Sequence, residues 1–181
     1  MANFNTIASA AAAAASGNVT AETAFGQAAA TSTRTTLTMP SNIANQYLDG
    51  REIVLRAGIL VTTGGSLTYG PSIRLNSGGN TNLTTFTNDT AIVTPTPFTL
   101  ATLTRLCTIT ARLSWDVTTA RLNGSYCFNI DATYTNWVTL TAQLTSGVAS
   151  ASSIVWLITG IFGTTQANNT AVLKYFEMDV L

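Results

Sequence analysis

The stretch Ile154-Val-Trp-Leu-Ile-Thr-Gly-Ile-Phe162, with Ala171-Val-Leu-Lys-Tyr-Phe-Glu-Met-Asp-Val-Leu181 after it, decides the fold. The first run is almost continuously apolar. The second alternates, with Val172, Phe176, Met178 and Val180 on one side. Between them Gly163 to Thr170 is polar and contains Asn168-Asn169. Runs of this length, β-rich and bounded by turn residues, read as strands. We read them as a final hairpin, two long antiparallel strands closing a β-sandwich. The alternation runs to Leu181, so the strand is expected to stay in its sheet to that residue.

Upstream segments follow the same rule. Asp49-Gly50 marks a turn before Glu52 to Val61, where Ile53, Leu55, Ala57, Ile59 and Val61 share one face. Ser66 to Leu75 reads as a strand interrupted at Gly70-Pro71. In the middle, Cys107, Ile109, Ala111, Leu113 and Trp115 face one way, and Thr108, Thr110, Arg112 and Ser114 the other. That is the pattern of a half-buried antiparallel strand. Asp116 to Asn123 turns the chain, Gly124 to Asp131 returns with Tyr126, Phe128 and Ile130 inward, and Trp137 to Leu144 forms a further short strand. About eight strands at roughly 10–15-residue spacing, with no long amphipathic helix, imply an all-β, two-sheet antiparallel sandwich of jelly-roll type. The sandwich is expected over 33–181. Residues 1–32, rich in Ala, Ser and Thr, read as an extended or partly helical N-terminal arm. Phe4, Ile7 and Phe25 are spaced along it like anchors that dock on a partner.

Composition narrows the function. Only 9% of residues are charged, against about 25% in ordinary domains. Lys174 is the one lysine, and the four prolines add little edge protection. A surface so poor in charge predicts burial in an oligomer or larger assembly. The seven arginines are scattered and the net charge is zero, so no nucleic-acid partner is expected. There is no histidine, which removes imidazole metal ligands and His-based triads. Glu177 and Asp179 share a strand face, but nothing organises them as an acid–base pair. No enzyme activity, cofactor or metal is expected. Cys107 and Cys127 read as free buried thiols, with a bridge open to them only if their two strands are neighbours. The Ala10–Ala15 run is too short and weakly apolar to span a membrane, and no basic leader precedes it. Of the three tryptophans, Trp115 and Trp156 fit the core. Trp137, beside Asn136 in a loop, is the weak candidate for sugar contact.

Three pieces carry a family resemblance: Tyr47-Leu-Asp-Gly-Arg-Glu-Ile-Val-Leu-Arg-Ala-Gly58; Thr110-Ala-Arg-Leu-Ser-Trp-Asp116 with Leu122-Asn-Gly124; and Phe162 through Asn168-Asn-Thr-Ala-Val-Leu-Lys-Tyr-Phe-Glu-Met178. Together, across residues 47–181, they resemble the jelly-roll virion structural proteins of tailed bacteriophages, in particular capsid decoration (cement) proteins. The resemblance implies a homotrimer on the outside of an icosahedral shell, partnered with the major capsid protein and tying capsomers together. It also implies an arm reaching to the capsid or a neighbouring subunit, and a protein made in the host cytoplasm and found in the virion. The competing expectation is a carbohydrate- or receptor-binding module of a phage tail or baseplate, using the loops at 76–82 and 133–137.

Overall fold

The computed structural model describes residues 14–16, 22–25, 36–40, 50–76, 89–101, 103–116, 121–131, 133–134, 136–143, 153–166 and 168–181. Phe4 and Ile7 lie outside them. Every regular element described is a strand: β1 (Ala14–Ser16), β2 (Thr23–Ala24), β3 (Thr36–Pro40), β4 (Glu52–Thr62), β5 (Leu67–Asn76), β6 (Asp89–Val93), β7 (Phe98–Leu100), β8 (Thr104–Asp116), β9 (Arg121–Ile130), β10 (Thr133–Tyr134), β11 (Val138–Gln143), β12 (Ser153–Phe162) and β13 (Thr170–Val180). They build a two-sheet antiparallel sandwich. One sheet runs β1-β13-β4-β8-β9, with β10 and β11 both on β9. The other runs β2-β12-β5-β6, with β3 also on β12 and β7 also on β5.

The connections make this a jelly roll. β4 pairs β13 in one sheet, and β5 pairs β12 in the other. The links β4→β5 and β12→β13 therefore cross the gap side by side, and an antiparallel ribbon is wrapped around the core. This corrects the expected final hairpin: β12 and β13 lie in different sheets and do not pair with each other. Period-2 alternation identifies which side of a strand faces the core but not which strand lies beside it. The Gly163–Asn169 connection is what carries the chain across. The Asn169 side chain, 0% exposed, accepts from Gly64 N–H at 3.2 Å and donates to Thr164 O at 3.1 Å.

The expected break at Gly70-Pro71 is also corrected. β5 runs unbroken, and Pro71 sits opposite Gly160 of β12. On its other side β7 pairs Leu67 to Tyr69 and β6 pairs Ile73 to Asn76. Pro71 thus falls in the gap between two short edge strands, where a residue lacking N–H costs the ladder nothing.

Alternation delivers the core. Ile53, Leu55, Ala57, Ile59 and Val61 of β4, the five inward residues of β8, and Trp156 and Ile158 of β12 are all buried. The sheets are bridged by rings: Tyr69 meets Phe98 edge-on at 5.8 Å and Phe162 at 4.9 Å, and Phe98 lies 4.9 Å from Phe128 of the opposite sheet. Cys107 points into this core and Cys127 out of the same sheet; both are free. The N-terminal pieces belong to the sandwich as well. β1 extends β13, and β2 and β3 follow one another along the same edge of β12. Phe25, expected as a docking anchor, is a core residue of its own chain, 1% exposed, with its N–H donating to Ile158 O at 3.1 Å. A large aromatic so placed gains more from burial than from a partner's surface.

Candidate functional site

The two outer faces of the sandwich differ. On the β12 sheet the outward-facing Leu157 and Thr159 are 1% and 0% exposed, so this part of the face is covered by the chain itself. Part of the cover is Glu22, which accepts from Arg74 Nε at 2.8 Å and from the Thr159 hydroxyl. Burial acts to raise the Glu22 carboxyl. The Arg74 and Thr159 hydrogen bonds and the Arg74 charge outweigh it, and the group titrates below its ordinary value.

The outer face of the β13-β4-β8-β9-β11 sheet is open, and register sorts its side chains into rows. Near one end Val172, read from the sequence as sharing a side with Phe176, Met178 and Val180 but turned outward by the register break between Leu173 and Tyr175, stands beside Leu60 and Leu106 on β4 and β8. Leu106 is 41% exposed, and Leu103 just before the strand is 51% exposed. An apolar row across three strands is not the scatter of single hydrophobes found on any surface. Asp131, at the end of β9 with φ +51°, closes this end. Its carboxylate accepts from Arg105 and from Leu106 N–H at 3.1 Å, which together hold it below the usual carboxylate range.

The middle row is Tyr175, Gly58, Thr108 and Asn129. The Tyr175 ring lies over Gly58, where any Cβ would come within 2.3 Å of it. Glu177 and Asp179 do share the outer face of β13, but Asp179 is ion-paired with Arg56. The Arg56–Asp179 pair on one side and Arg112 on the other shelter Val54, an outward residue only 4% exposed.

Towards the far end, Arg112 Nε donates to Glu52 Oε1 at 2.7 Å and its NH2 group to Oε2 at 3.1 Å, a two-bond fork. Beside this pair a shallow depression of about 480 Å3 is lined by Glu52, Arg112, Ser114, Asn123, Ser125 and the backbone at Leu113 and Gly124. Its floor is tight. A Cβ at Gly124 would stand 2.0 Å from Arg112 O. Val138 and Thr139 of β11 lie opposite Tyr126 and Ser125; Trp137 is the residue just before this strand, and continued alternation would put it on the side of Thr139. Trp137 is 51% exposed and Asn136 beside it is exposed. Trp115 and Trp156 are in the core at 2% and 0%.

Sequence reasoning singled out Trp137 and Asn136 and missed the Arg112–Glu52 fork with Asn123 and Ser125. Each of those residues is unremarkable alone. Only the pairing of Glu52 with Ser114, and of Ser114 with Asn123, gathers them. Among the described residues no three acidic, cysteine or histidine side chains come together as a metal site. No described helix is long and apolar enough to cross a membrane.

No family model and no curated protein matches the chain. Solved structures with similar strand layout include peanut lectin with a nonapeptide (7% identity, 99% of this chain and 97% of that one, TM-score 0.44) and lectin UEA-II complexed with galactose (8%, 72% of each, 0.43). Another is the CBM2 module of the evolved Dit of Lactobacillus casei BL23 phage J-1 (12%, 80% and 67%, 0.40). These superpositions are too loose for the ligands or roles of those proteins to bear on this chain.

Proposed function

We propose that this chain is a structural virion protein that works by binding and carries out no chemistry: an oligomer, by expectation a trimer, that decorates the outside of an icosahedral phage capsid and ties neighbouring capsomers. The observation that supports it best is the outward apolar row Val172–Leu60–Leu106, with Leu106 41% exposed, on a chain of only 9% charged residues. Such a row loses free energy in water and recovers it against another protein surface. Binding only the assembled shell would shift the assembly equilibrium by mass action, and three linked copies would multiply weak contacts. The test is light scattering of the purified chain, followed by co-sedimentation with shells of its own phage lacking the protein. A mass of three 19.0 kDa chains, with shell binding abolished by Leu106→Glu in a folded protein, is the expected result. A monomer that ignores the shell sinks the reading.

A second reading, a carbohydrate- or receptor-binding module of a tail or baseplate, is favoured by one observation. Trp137, 51% exposed, immediately precedes β11, whose Thr139 lies opposite Ser125 beside the Arg112–Glu52 pair.

A further inference from the structure

We propose that the polar end of this open face is a binding site for a neutral oligosaccharide, with Trp137 as the stacking platform and Arg112, Glu52, Asn123 and Ser125 as the hydroxyl-binding set. This rests on the second reading and gives it a place and a ligand class.

Charge sets the ligand's sign. Arg112 and Glu52 hold each other in a two-bond fork, so the depression presents no net charge, and an ionic ligand would find no counter-charge to replace its hydration. What it does present is a set of planar donors and acceptors (guanidinium, carboxylate, carboxamide) with the hydroxyls of Ser114 and Ser125. Planar two-atom groups match a pair of neighbouring hydroxyls on one ring, and exchange water for sugar hydroxyl at little cost. The volume of about 480 Å3 falls within the range of about 300–1,000 Å3 usual for small-molecule sites.

Trp137 supplies the apolar half. Continuing the β11 register by one residue beyond Val138 puts Trp137 one strand over and two residues along from Ser125, a diagonal of about 7–8 Å between neighbouring strands. A chain of sugar rings can therefore stack one apolar ring face on the indole while the next ring's hydroxyls reach the fork. The polar set stands on β4, β8 and β9, paired over their length, and the close β8–β9 approach at Gly124 fixes the floor. A rigid platform of this kind binds without first ordering a loop.

The experiment uses the full chain and neutral oligomers of β-1,4-glucose, β-1,3-glucose and N-acetylglucosamine, read by titration calorimetry and acrylamide quenching. Trp137 is the one exposed tryptophan of the three, so quenching reports on it directly. At least one oligomer should protect the fluorescence. Trp137→Ala and Asn123→Ala should each weaken its binding about tenfold or more, with the melting temperature of Trp137→Ala unchanged. Trp137→Phe should retain part of the affinity, and Leu106→Ser at the other end should leave it intact. Failure of every oligomer to bind overturns both this site and the carbohydrate reading. Binding that survives in both alanine variants overturns this site alone.

Discussion

Gly58 and Gly124 look alike in sequence, each a glycine within a strand, yet their neighbours make them opposites. A methyl at Gly58 would strike the Tyr175 ring, the far end of a half-exposed side chain that can swing away. A methyl at Gly124 would strike the backbone of Arg112, which cannot move without opening the β8–β9 ladder. Gly58→Ala should therefore change stability by less than about 0.5 kcal/mol, and Gly124→Ala should cost about 1–3 kcal/mol, measured by denaturant melts. Asn169 is the other residue whose role comes from its surroundings. Replacing it by Ala removes its bonds to Gly64 N–H and Thr164 O, both on exposed residues, and should cost about 0.5–1.5 kcal/mol per bond. The cysteines divide by face. Burial first, then the Asp131 charge, pushes the Cys107 thiol up to about 12, so it stays protonated and unreactive at neutral pH. Alkylation of native protein should modify Cys127 alone, and two thiols should react in denaturant, counted by mass spectrometry.

At the scale of the element, inward and outward faces were legible because a strand's period is two: the β4 and β8 faces read from sequence are the faces found. Partner choice was not legible. β12 and β13 are adjacent in the chain and carry complementary patterns, yet lie in opposite sheets, because alternation carries no information about lateral neighbours. Trp137 and Asn136 could be picked out because an aromatic beside a turn residue is a local signal. Arg112, Glu52 and Asn123 could not, because they meet only once Glu52 is paired with Ser114, 62 positions on, and Ser114 with Asn123. The β2 strand illustrates how a weak pattern is held. It pairs at only two positions, and Glu22 beside it clamps it to Arg74 and Thr159. The folded-state pKa of Glu22 is depressed, so this clamp contributes fully above its ordinary value of 4.5 and is lost as the pH falls through the lower folded value. Glu22→Gln should lower stability at pH 7 and flatten the acid limb of the stability–pH curve, followed by thermal melts between neutral and acid pH. Asp131, also depressed, shifts the remaining curve in the same direction.

For the whole molecule, the inequality of the two outer faces is the organising fact. One is covered where Glu22, Leu157 and Thr159 meet; the other is open, with the Leu106 row at one end and the Arg112–Glu52 pair at the other. The N-terminal pieces help to keep it so, and this decides where truncation is tolerated. Removing residues 1–12 leaves β1, Glu22 and Phe25 in place and should leave a cooperative unfolding transition near that of the full chain. Removing 1–32 takes out Phe25, 1% exposed in the core, and the carboxylate facing Arg74. Loss of the aromatic alone should cost about 3–5 kcal/mol, a large share of a domain's about 5–15 kcal/mol. The shorter deletion, not the longer, is the one with which to ask whether the arm contacts a capsid.

The wrapped ribbon has a further meaning in time. β1, β2 and β3 are made first, and their sheet partners β13 and β12 are made last. Until those two strands emerge from the ribosome, β4 and β5 each lack a neighbour, and the three early strands have none to join. Folding must wait for nearly the whole chain and then close loops of more than a hundred residues. Such nonlocal pairing places it among slow folders, with a long nascent stage of unpaired edges. A poor yield in a heterologous host would then reflect the order of synthesis, and slower translation at lower temperature should raise it.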